Sequence, residues 1–276
     1  MFTLNCKGRL LVIDKPLVMG IINATPDSFY EASRFSGTEK ILAQAEIMIN
    51  EGADLLDVGG QSTRPGSDQV SEDVELSRII EGIQAIDQAF PEVFISVDTY
   101  YASVAKRCVE AGASIVNDIS AGTMDAHMLA TVAVLHVPYV AMHMKGTPQT
   151  MQQLANYENV TREVVDFFIR KKDECKTAGV IDVIIDPGFG FAKTIAQSFQ
   201  LLKDLSVFKM LDAPLLAGLS RKSSVYKTLG ISPAEALNGT TVLNTIALMN
   251  GANILRVHDV KEAKEAVKLW EAMNSV

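Results

Sequence analysis

Polar side chains that could bind a flat heterocycle stand at the ends of short apolar segments in this sequence. Asp98 and Asp186 each follow a run of apolar residues, where an unpaired carboxylate would be costly. A carboxylate can accept two parallel N–H bonds from a planar, amidine-like ring, and the amide of Asn117 can donate and accept at once. Together these residues predict a pocket for a nitrogen heterocycle. Two simpler interpretations stay open: Asp98 could cap a helix that begins at Tyr100, and Asp186 could only start a turn.

Basic side chains follow the last two apolar segments and could bind an anion. Arg256 and His258 alternate with Val257, so both point to the same side of an extended strand. The segment Gly218–Ser223 runs from a predicted strand into a helix and carries two basic residues, where the helix N-terminus favours negative charge. A solvated surface turn is the alternative for this segment. Barrel enzymes often bind phosphate after the seventh and eighth strands, which is where these two segments fall.

The sequence has no motif for a dedicated zinc site, since it contains neither His-Glu-x-x-His nor Cys-x-x-Cys. A magnesium ion held mainly by a substrate diphosphate needs only one protein oxygen. Asn23, which ends the first of the long apolar segments, could supply that oxygen.

These residues belong to a pattern that repeats eight times: an apolar segment, a polar residue at its end and a helical stretch. The segments are rich in Val, Ile and Leu without alternation, as expected of strands buried on both faces, and the chain length suits one α/β barrel of about 250 residues. We therefore predict a (β/α)8 TIM barrel that forms a single domain over residues 1–276. The alternating residues 2–13, around Lys7 and Gly8, predict a β-hairpin that closes the bottom of the barrel. The predicted strands lie near residues 17–22, 54–58, 93–98, 114–118, 138–143, 182–186, 214–219 and 253–258.

The carboxyl ends of the strands of a parallel barrel share one face, so the polar residues should converge there. Two loops at that face are long, at roughly residues 23–37 and 59–71. Loops of more than about 12 residues often act as lids or binding loops. The sequence therefore predicts one site, covered by two loops, at the mouth of the barrel.

Composition argues against several classes of function. The net charge of −8 and the isoelectric point of about 5.1 make a nucleic-acid partner improbable. No stretch of about 20 apolar residues predicts a membrane-spanning helix, and no signal peptide is visible. The cysteines Cys6, Cys108 and Cys175 are widely spaced and odd in number, which fits reduced, buried thiols in a cytoplasmic protein.

Six short motifs lie in a fixed order along the chain. They are Asn23–Phe29, Gly59–Gly66, Asn117–Asp118, Asp186–Lys193, Ser220–Ser223 and Arg256–Val260. Each motif alone is weak evidence, but the set is specific, and it resembles the dihydropteroate synthase family over roughly residues 17 to 260.

This resemblance implies a transferase of folate biosynthesis. Such an enzyme joins 6-hydroxymethyl-7,8-dihydropterin diphosphate to p-aminobenzoate and releases diphosphate. The resemblance also implies Mg²⁺ as cofactor, small-molecule substrates, a homodimer formed through barrel helices, and inhibition by sulfonamides, which mimic p-aminobenzoate.

The resemblance further implies a role for each matching residue. The pterin ring would be held by Asp98, Asn117, Met142, Asp186, Phe191, Lys222 and Arg256, with Arg256 stacked on the ring. The diphosphate would be bound by Asn23, Thr63, Arg64, Arg256 and His258, with Asn23 as the protein ligand of Mg²⁺. p-Aminobenzoate would contact Thr63, Pro65, Lys222 and Ser223. The catalytic residues would be Lys222, Asp98, Asp186, Arg64, Asp27 and Phe29.

The reaction implied by these roles is dissociative. Diphosphate leaves once Mg²⁺, Arg64 and His258 neutralise its charge, and Asp98 and Asp186 stabilise the cationic methylene group that remains on the ring. The neutral aniline nitrogen then attacks this carbon. Closure of the two long loops would exclude the water that competes with it.

The sequence departs from the family pattern at a few positions in the two loops. Ala24 stands where Val is usual, Gln61 stands where Glu is frequent, and Tyr30–Arg34 lacks the expected Asp-Gly-Gly. The last of these differences concerns the flexibility and closed shape of the first loop rather than the reaction.

Two other functions stay open. A pterin-binding methyltransferase domain that uses methyltetrahydrofolate has a similar barrel, but it would not need the Ser220–Ser223 cluster or the Ser62–Gly66 loop. A non-catalytic pterin or phosphate binder would keep the barrel and lose turnover, which the full-length loops argue against.

Overall fold

The computed structural model describes residues 1–24, 37–63 and 66–275. Within them, eight parallel strands alternate with helices, which confirms the predicted barrel. An antiparallel pair, β1 (Phe2–Cys6) and β2 (Arg9–Ile13), comes first. The barrel strands are β3 (Leu17–Asn23), β4 (Leu55–Gly59), β5 (Phe94–Asp98), β6 (Ile115–Asp118), β7 (Tyr139–Met142), β8 (Val183–Asp186), β9 (Leu216–Ala217) and β10 (Ile254–Val257). The helices are α1 (Gly37–Asn50), α2 (Glu72–Ala89), α3 (Ala102–Glu110), α4 (Met128–Leu135), α5 (Val160–Ala178), α6 (Ile195–Lys203), α7 (Ser223–Leu229), α8 (Leu237–Met249) and α9 (Val260–Asn274).

The parallel strands form a nearly closed ring. Their hydrogen-bonded order is β8-β7-β6-β5-β4-β3-β10-β9, and a parallel bridge between Ile185 and Leu215 links β8 to the segment before β9. Strand β9 has only two residues, fewer than the predicted strand at 214–219. The ladder is irregular there because the Leu215 carbonyl accepts from two successive N–H groups, those of Asn253 and Ile254.

Alternate residues of the barrel strands belong to two different apolar cores. Side chains such as Val18 and Val58 pack in the large cluster that includes the surrounding helices. Their neighbours, such as Met19 and Leu55, form a second cluster inside the barrel. Since side chains alternate across a strand, this inner cluster identifies the strand positions that face the interior of the barrel. The polar residues that follow at the next inward-facing positions lie above the cluster, towards the carboxyl ends of the strands.

The N-terminal hairpin closes the lower end of the barrel, as predicted. Its register pairs Phe2 with Ile13 and Leu4 with Leu11. Leu4, Cys6, Leu11 and Ile13 are buried and belong to the inner cluster. The floor of the barrel is therefore apolar, and a polar site has only the opposite end available.

The cysteines lie apart in the core, and each is buried and free, as predicted. Burial raises the pKa of Cys6 and Cys108 to about 12 and that of Cys175 to about 11, so the thiols stay protonated. In the described ranges, no helix is both long enough and apolar enough to cross a bilayer.

The hairpin provides a matched pair of leucines that tests its role. Leu4 is 3% exposed, whereas Leu10 of the same hairpin is 66% exposed. We expect Leu4→Ala to lower the free energy of unfolding by about 2–5 kcal/mol, because it leaves a cavity in the floor of the barrel. Leu10→Ala should change it by less than about 0.5 kcal/mol. Urea unfolding followed by circular dichroism measures both, and equal effects of the two variants would contradict the plugging role.

Candidate active site

Three predicted residues meet on one rung of paired strands at the upper end of the barrel. Asn23 of β3 is in register with Gly59 of β4, Gly59 with Asp98 of β5, and Asp98 with Asn117 of β6. A Cβ on Gly59 would lie 3.3 Å from the Cβ of Asp98. The glycine therefore leaves room for the Asp98 side chain inside the barrel.

The other strands bring further predicted residues to the same end. Met142 of β7 is in register with Asp186 of β8, and Arg256 is the third residue of β10. Lys222 follows β9 and is the N-cap residue of α7. Residues separated by more than 200 positions thus share one end of the barrel.

Arg256 holds two carboxylates at the centre of this end. Its Nε donates to Asp57 Oδ2 and its Nη2 donates to Asp98 Oδ2, each at 2.6 Å. The same Asp57 oxygen accepts from Asn117 Nδ2 at 3.0 Å, and the Asp57 side chain is fully buried. Sequence reasoning misses Asp57, although it lies two residues before Gly59 and so on the inward-facing alternation of its strand.

The pKa values of the buried carboxyl groups and of Arg256 in this cluster depend on one another. Burial raises the pKa of Asp98 to about 7; Arg256 opposes the rise, while the neighbouring Asp57 carboxylate adds to it. Burial alone would lower the pKa of Arg256, but Asp57 and Asp98 raise it above its ordinary value. The guanidinium therefore stays charged, and the Asp98 carboxyl group is harder to ionise than an exposed aspartate.

Lys222 and Asp186 converge beside Gly218. Lys222 Nζ and Asp186 Oδ2 lie 3.9 and 4.0 Å from the position of a Cβ built on Gly218. Lys222 Nζ also donates to the carbonyl of Phe189 and lies 4.6 Å from the centroid of the Phe191 ring. Burial lowers the pKa of Lys222 to about 8, although Asp186 opposes this shift.

The two simpler interpretations of the aspartates have different outcomes. Helix α3 begins at Ala102, whose N–H donates to Asp125 Oδ2 at 2.7 Å, so the interpretation of Asp98 as a cap is wrong. Asp186 does start a turn, because its Oδ1 accepts from the Gly188 N–H at 2.8 Å. Its other oxygen lies on the side of Lys222, so the turn and a binding role are compatible.

An apolar wall lies beside these charges. Tyr100, Ile119 and Met142 are buried in one small cluster, against which Phe191 packs. The predicted apolar pair of Met142 and Phe191 is thus brought together. Sequence reasoning misses Tyr100 and Ile119, which have no distinguishing spacing.

The residues of the Ser220–Ser223 motif contact different parts of the structure. Ser220 Oγ lies 3.0 Å from His258 Nδ1 and accepts from the His258 backbone N–H at 3.2 Å. Arg221 forms a two-bond ion pair with Asp259, at 2.9 Å from Nε and 2.7 Å from Nη2. Of the two predicted basic residues, Arg221 therefore holds α7 and α9 together, and Lys222 lies beside Asp186 at the mouth.

Asp118 is also structural, unlike its neighbour Asn117. Its carboxylate accepts from the Ser120 N–H and hydroxyl, the Gly122 N–H and the Tyr139 hydroxyl, each at 2.7 Å. All of its hydrogen-bonding capacity is directed to the β6–α4 turn and to β7.

The second long loop starts from a buried polar network. Gln61 Nε2 donates to Glu75 Oε2 at 2.9 Å, and the Tyr100 hydroxyl donates to Gln61 Oε1 at 2.7 Å. Glu75 is fully buried, and burial raises its pKa to about 8. A glutamine suits position 61 because its amide can donate to Glu75, which a second carboxylate could not do. Thr63 follows two residues later and is half-buried.

Some predicted residues lie outside the described residues. They are Asp27, Phe29, Arg64 and Pro65. The adjoining Thr63 and the first residue of α7, Ser223, are described and half-buried.

A metal ion at this end of the barrel would have few protein ligands. Among residues 1–24, 37–63 and 66–275, no group of three or more His, Cys, Asp or Glu could hold one. The amide oxygen of Asn23, at the end of β3, is a hard donor of the kind Mg²⁺ prefers. One such oxygen fits an ion whose other ligands are phosphate oxygens and water.

Comparison with known proteins identifies the family of this chain. The model of the family described as pterin binding enzyme matches residues 19–258. Dihydropteroate synthase of Escherichia coli is 42% identical over 268 residues, which cover 96% of this chain and 94% of that protein. The chain belongs to the dihydropteroate synthase family.

Solved structures of this family share the fold throughout. Xanthomonas albilineans dihydropteroate synthase with 4-aminobenzoic acid superposes with a TM-score of 0.94 at 39% identity, covering 99% of this chain and 98% of that one. The same enzyme in complex with 7,8-dihydropteroate gives a TM-score of 0.90 at 37% identity and covers 99% of each chain. The (β/α)8 architecture described above is therefore that of the dihydropteroate synthases.

The buried Glu75 gives stability a pH dependence with a defined sign. Its pKa rises from 4.5 to about 8 on folding, so the folded state binds more protons than the unfolded state between these values. Stability must then fall as pH rises through that window. We expect the free energy of unfolding to decline from about pH 5 to about pH 8, and Glu75→Gln to flatten the decline, as measured by urea unfolding at several pH values.

Asp73 supplies the control for this measurement. It is an exposed acid on the same first turn of α2, and Asp73→Asn removes the same charge without touching Gln61. A slope that is unchanged by Glu75→Gln, or flattened equally by Asp73→Asn, would contradict the role of the buried carboxyl group.

Proposed function

We propose that this protein is a dihydropteroate synthase that condenses 6-hydroxymethyl-7,8-dihydropterin diphosphate with p-aminobenzoate to give 7,8-dihydropteroate and diphosphate. The observation that carries the proposal is the convergence of three carboxylates, the amide of Asn117 and two cations, Arg256 and Lys222, at the mouth of a barrel. Solved relatives with the same barrel hold 4-aminobenzoic acid and 7,8-dihydropteroate.

The pterin ring would be recognised through hydrogen bonds to the buried polar residues. Asn117 Nδ2 donates to Asp57, which uses one of its two N–H groups, so its Oδ1 and its second N–H would be the groups that contact the ring. Asp186 keeps one carboxylate oxygen beyond its turn hydrogen bond with Gly188. Carboxylate oxygens match the parallel N–H donors of an aminopyrimidinone edge, and Met142 supplies apolar contact.

The diphosphate would leave towards the basic side of the mouth. Arg256 is held charged by its two carboxylates, and Ser220 positions the His258 ring through its Nδ1. Thr63 and Arg64 at the start of the second loop would add donors. Cationic groups that are already oriented lower the cost of charge developing on the leaving group.

p-Aminobenzoate would lie beside the stem of Lys222. The Lys222 Nζ is held by the Phe189 carbonyl, so its aliphatic stem presents a fixed apolar edge. Pro65 would cover the opposite face of the ring, and Thr63 and Ser223 would hold its carboxylate.

A dissociative reaction fits the charges of this site. Loss of diphosphate leaves a cationic methylene group conjugated to the pterin, which the carboxylates of Asp98 and Asp186 stabilise electrostatically. The aniline nitrogen is neutral and attacks without a strong base. Asp27 and Phe29 on the first loop would help to exclude water, which would otherwise capture the cation.

Mg²⁺ is the cofactor that we propose for this reaction. When bound, it supplies positive charge to the diphosphate oxygens, and Asn23 would be its protein ligand. Arg256 and His258 then need to neutralise only the remaining charge.

We further propose a homodimer. Helix α8 exposes Val242, Ile246 and Met249, which are 50, 39 and 57% accessible. Their spacing of four and three residues makes one apolar stripe, of the kind that marks protein contacts. The stripe lies on the flank of the barrel, so association there leaves the mouth open.

The remaining features of the proposal concern organisation and location. We propose that residues 1–276 form one domain, which the continuous inner and outer cores support. The buried free thiols and the acidic composition support a cytoplasmic enzyme whose partners are its small-molecule substrates.

Lys222→Ala and Asp186→Ala test the site. Each should lower kcat/KM by at least about 100-fold, because each removes a preorganised charge next to the pterin. The assay is diphosphate release that depends on Mg²⁺ and on both substrates, with circular dichroism to verify folding. Lys227→Ala, an exposed lysine on α7, is the control and should retain activity. Near-wild-type turnover of either site variant would refute the assignment.

The wild-type protein separates the proposed reaction from its rivals. Pterin diphosphate that binds without releasing diphosphate when p-aminobenzoate is added would indicate a non-catalytic binder. Consumption of methyltetrahydrofolate instead would indicate the methyltransferase.

Ile246→Glu tests the homodimer. A charge in the middle of the α8 stripe should convert the dimer to a monomer, as measured by size-exclusion chromatography with light scattering. Val134→Glu changes an equally apolar but 77% exposed residue on α4 and should leave the dimer intact. A monomeric wild-type protein would disprove the proposal.

A further inference from the structure

Lys193 is a buried lysine to which the proposed reaction gives no role. Only 4% of the residue is exposed, and it ends the motif that begins at Asp186. Its Nζ lies within hydrogen-bond distance of the carbonyls of His143, Gly188 and Phe191, at 3.2, 3.0 and 3.0 Å. It also lies 2.9 Å from His143 Nδ1.

His143 completes this contact as a neutral ring. Burial and the nearby Lys193 lower the pKa of His143 to about 2. The ring packs edge-on against Phe167, with centroids 4.8 Å apart. His143 is therefore a fixed structural partner at the end of β7, and Lys193 joins this end to the turn that follows β8.

The joined turn adopts a conformation that needs support. Gly188, Gly190 and Ala192 all have positive φ, at 70°, 79° and 49°, and the left-handed conformation is unfavourable for alanine. A Cβ on Gly188 would lie 2.1 Å from the carbonyl oxygen of His143, so the two loops are in direct backbone contact. Such strained segments persist only where surrounding contacts fix them.

The same turn sets the positions of two proposed pterin ligands. The Gly188 N–H donates to Asp186 Oδ1. The Phe189 carbonyl accepts from Lys222 Nζ, and the Phe191 ring lies against that ammonium group. Lys193 Nζ donates to the carbonyls of Gly188 and Phe191, between which Phe189 lies. Displacement of this turn would therefore move both Asp186 and Lys222.

We propose that Lys193 is a positioning residue: the hydrogen bonds of its Nζ tie the Gly188–Phe191 turn to the end of β7 and so hold Asp186 and Lys222 in place for the pterin. The inference rests on the proposed function, because it uses the pterin site as assigned there. Lys193 itself is enclosed by carbonyls and does not reach the mouth.

Lys193→Met keeps the length of the side chain and removes its donors. We expect binding of 6-hydroxymethyl-7,8-dihydropterin diphosphate, measured by titration calorimetry without p-aminobenzoate, to weaken by about 10- to 100-fold, because misplacement by about 1 Å can cost that much. kcat should fall as well, since Lys222 also contacts the second substrate.

A double-mutant cycle distinguishes positioning from general destabilisation. Because Lys193 positions Lys222 as well as Asp186, the Lys193→Met change should weaken binding by a smaller factor in a Lys222→Met background than in the wild-type protein, since coupled residues are not additive. A purely structural loss would reduce binding by the same factor in both backgrounds, and that additive result would overturn the proposal.

Lys172 provides the matched control. Its Nζ also donates to two carbonyls, those of Leu211 and Asp212, but these lie at the opposite end of the barrel beside Gly179 and Asp182. Lys172→Met should leave pterin binding within about 2-fold of wild type. Should Lys193→Met not fold, Lys193→Gln, which keeps amide donors, enters the same cycle.

The outcomes separate the two hypotheses. Wild-type protein that neither binds the pterin diphosphate nor releases diphosphate would refute the proposed function. Wild-type activity together with unchanged binding by Lys193→Met, or with an additive cycle, would refute only the positioning role.

Discussion

The pairing of Arg256 with Asp57 and Asp98 is the contact on which the mouth of this barrel depends. Asp57, Asp98 and Asp186 place acidic groups inside a largely apolar barrel, where removing one partner of a buried ion pair costs about 3–5 kcal/mol. Arg256 bridges two of them at 2.6 Å, and Lys222 lies beside the third. The two cations that we propose as substrate-binding residues therefore also stabilise the buried acids.

This electrostatic arrangement requires a particular barrel around it. The inner cluster of Met19, Leu55 and the hairpin residues fills the lower end, so water reaches the acids only from the mouth. Gly59 leaves space for the Asp98 side chain, to which an added Cβ would lie only 3.3 Å away. The inward-facing positions of the strands are apolar at the lower end of the barrel and polar at the carboxyl ends. They therefore form a polar layer above an apolar floor.

Residues behind the site hold the start of the second loop and the strained turn after β8 in place. Glu75 and Tyr100 hold the amide of Gln61 from both sides, which anchors the start of the second loop. The Lys193 Nζ donates to backbone carbonyls, and the Arg221 guanidinium donates to an acid outside the mouth. The basic residues of the family motifs thus divide into those that serve the site and those that hold its frame, and the direction of each side chain decides which.

The sequence by itself determined the barrel, its hairpin and the end at which the site lies, because apolar periodicity, strand count and alternation are local properties of the chain. It also named Asn117, Asp186 and Lys222, through motifs whose order resembles a known family. Only the tertiary structure decided that Asp57 joins Arg256, that Asp98 is no helix cap, and that Arg221 turns away while Lys222 turns in. Those outcomes depend on which buried charged side chains pair with one another, and the partners lie on strands up to 199 positions apart in the sequence. No local sequence pattern specifies such a pairing.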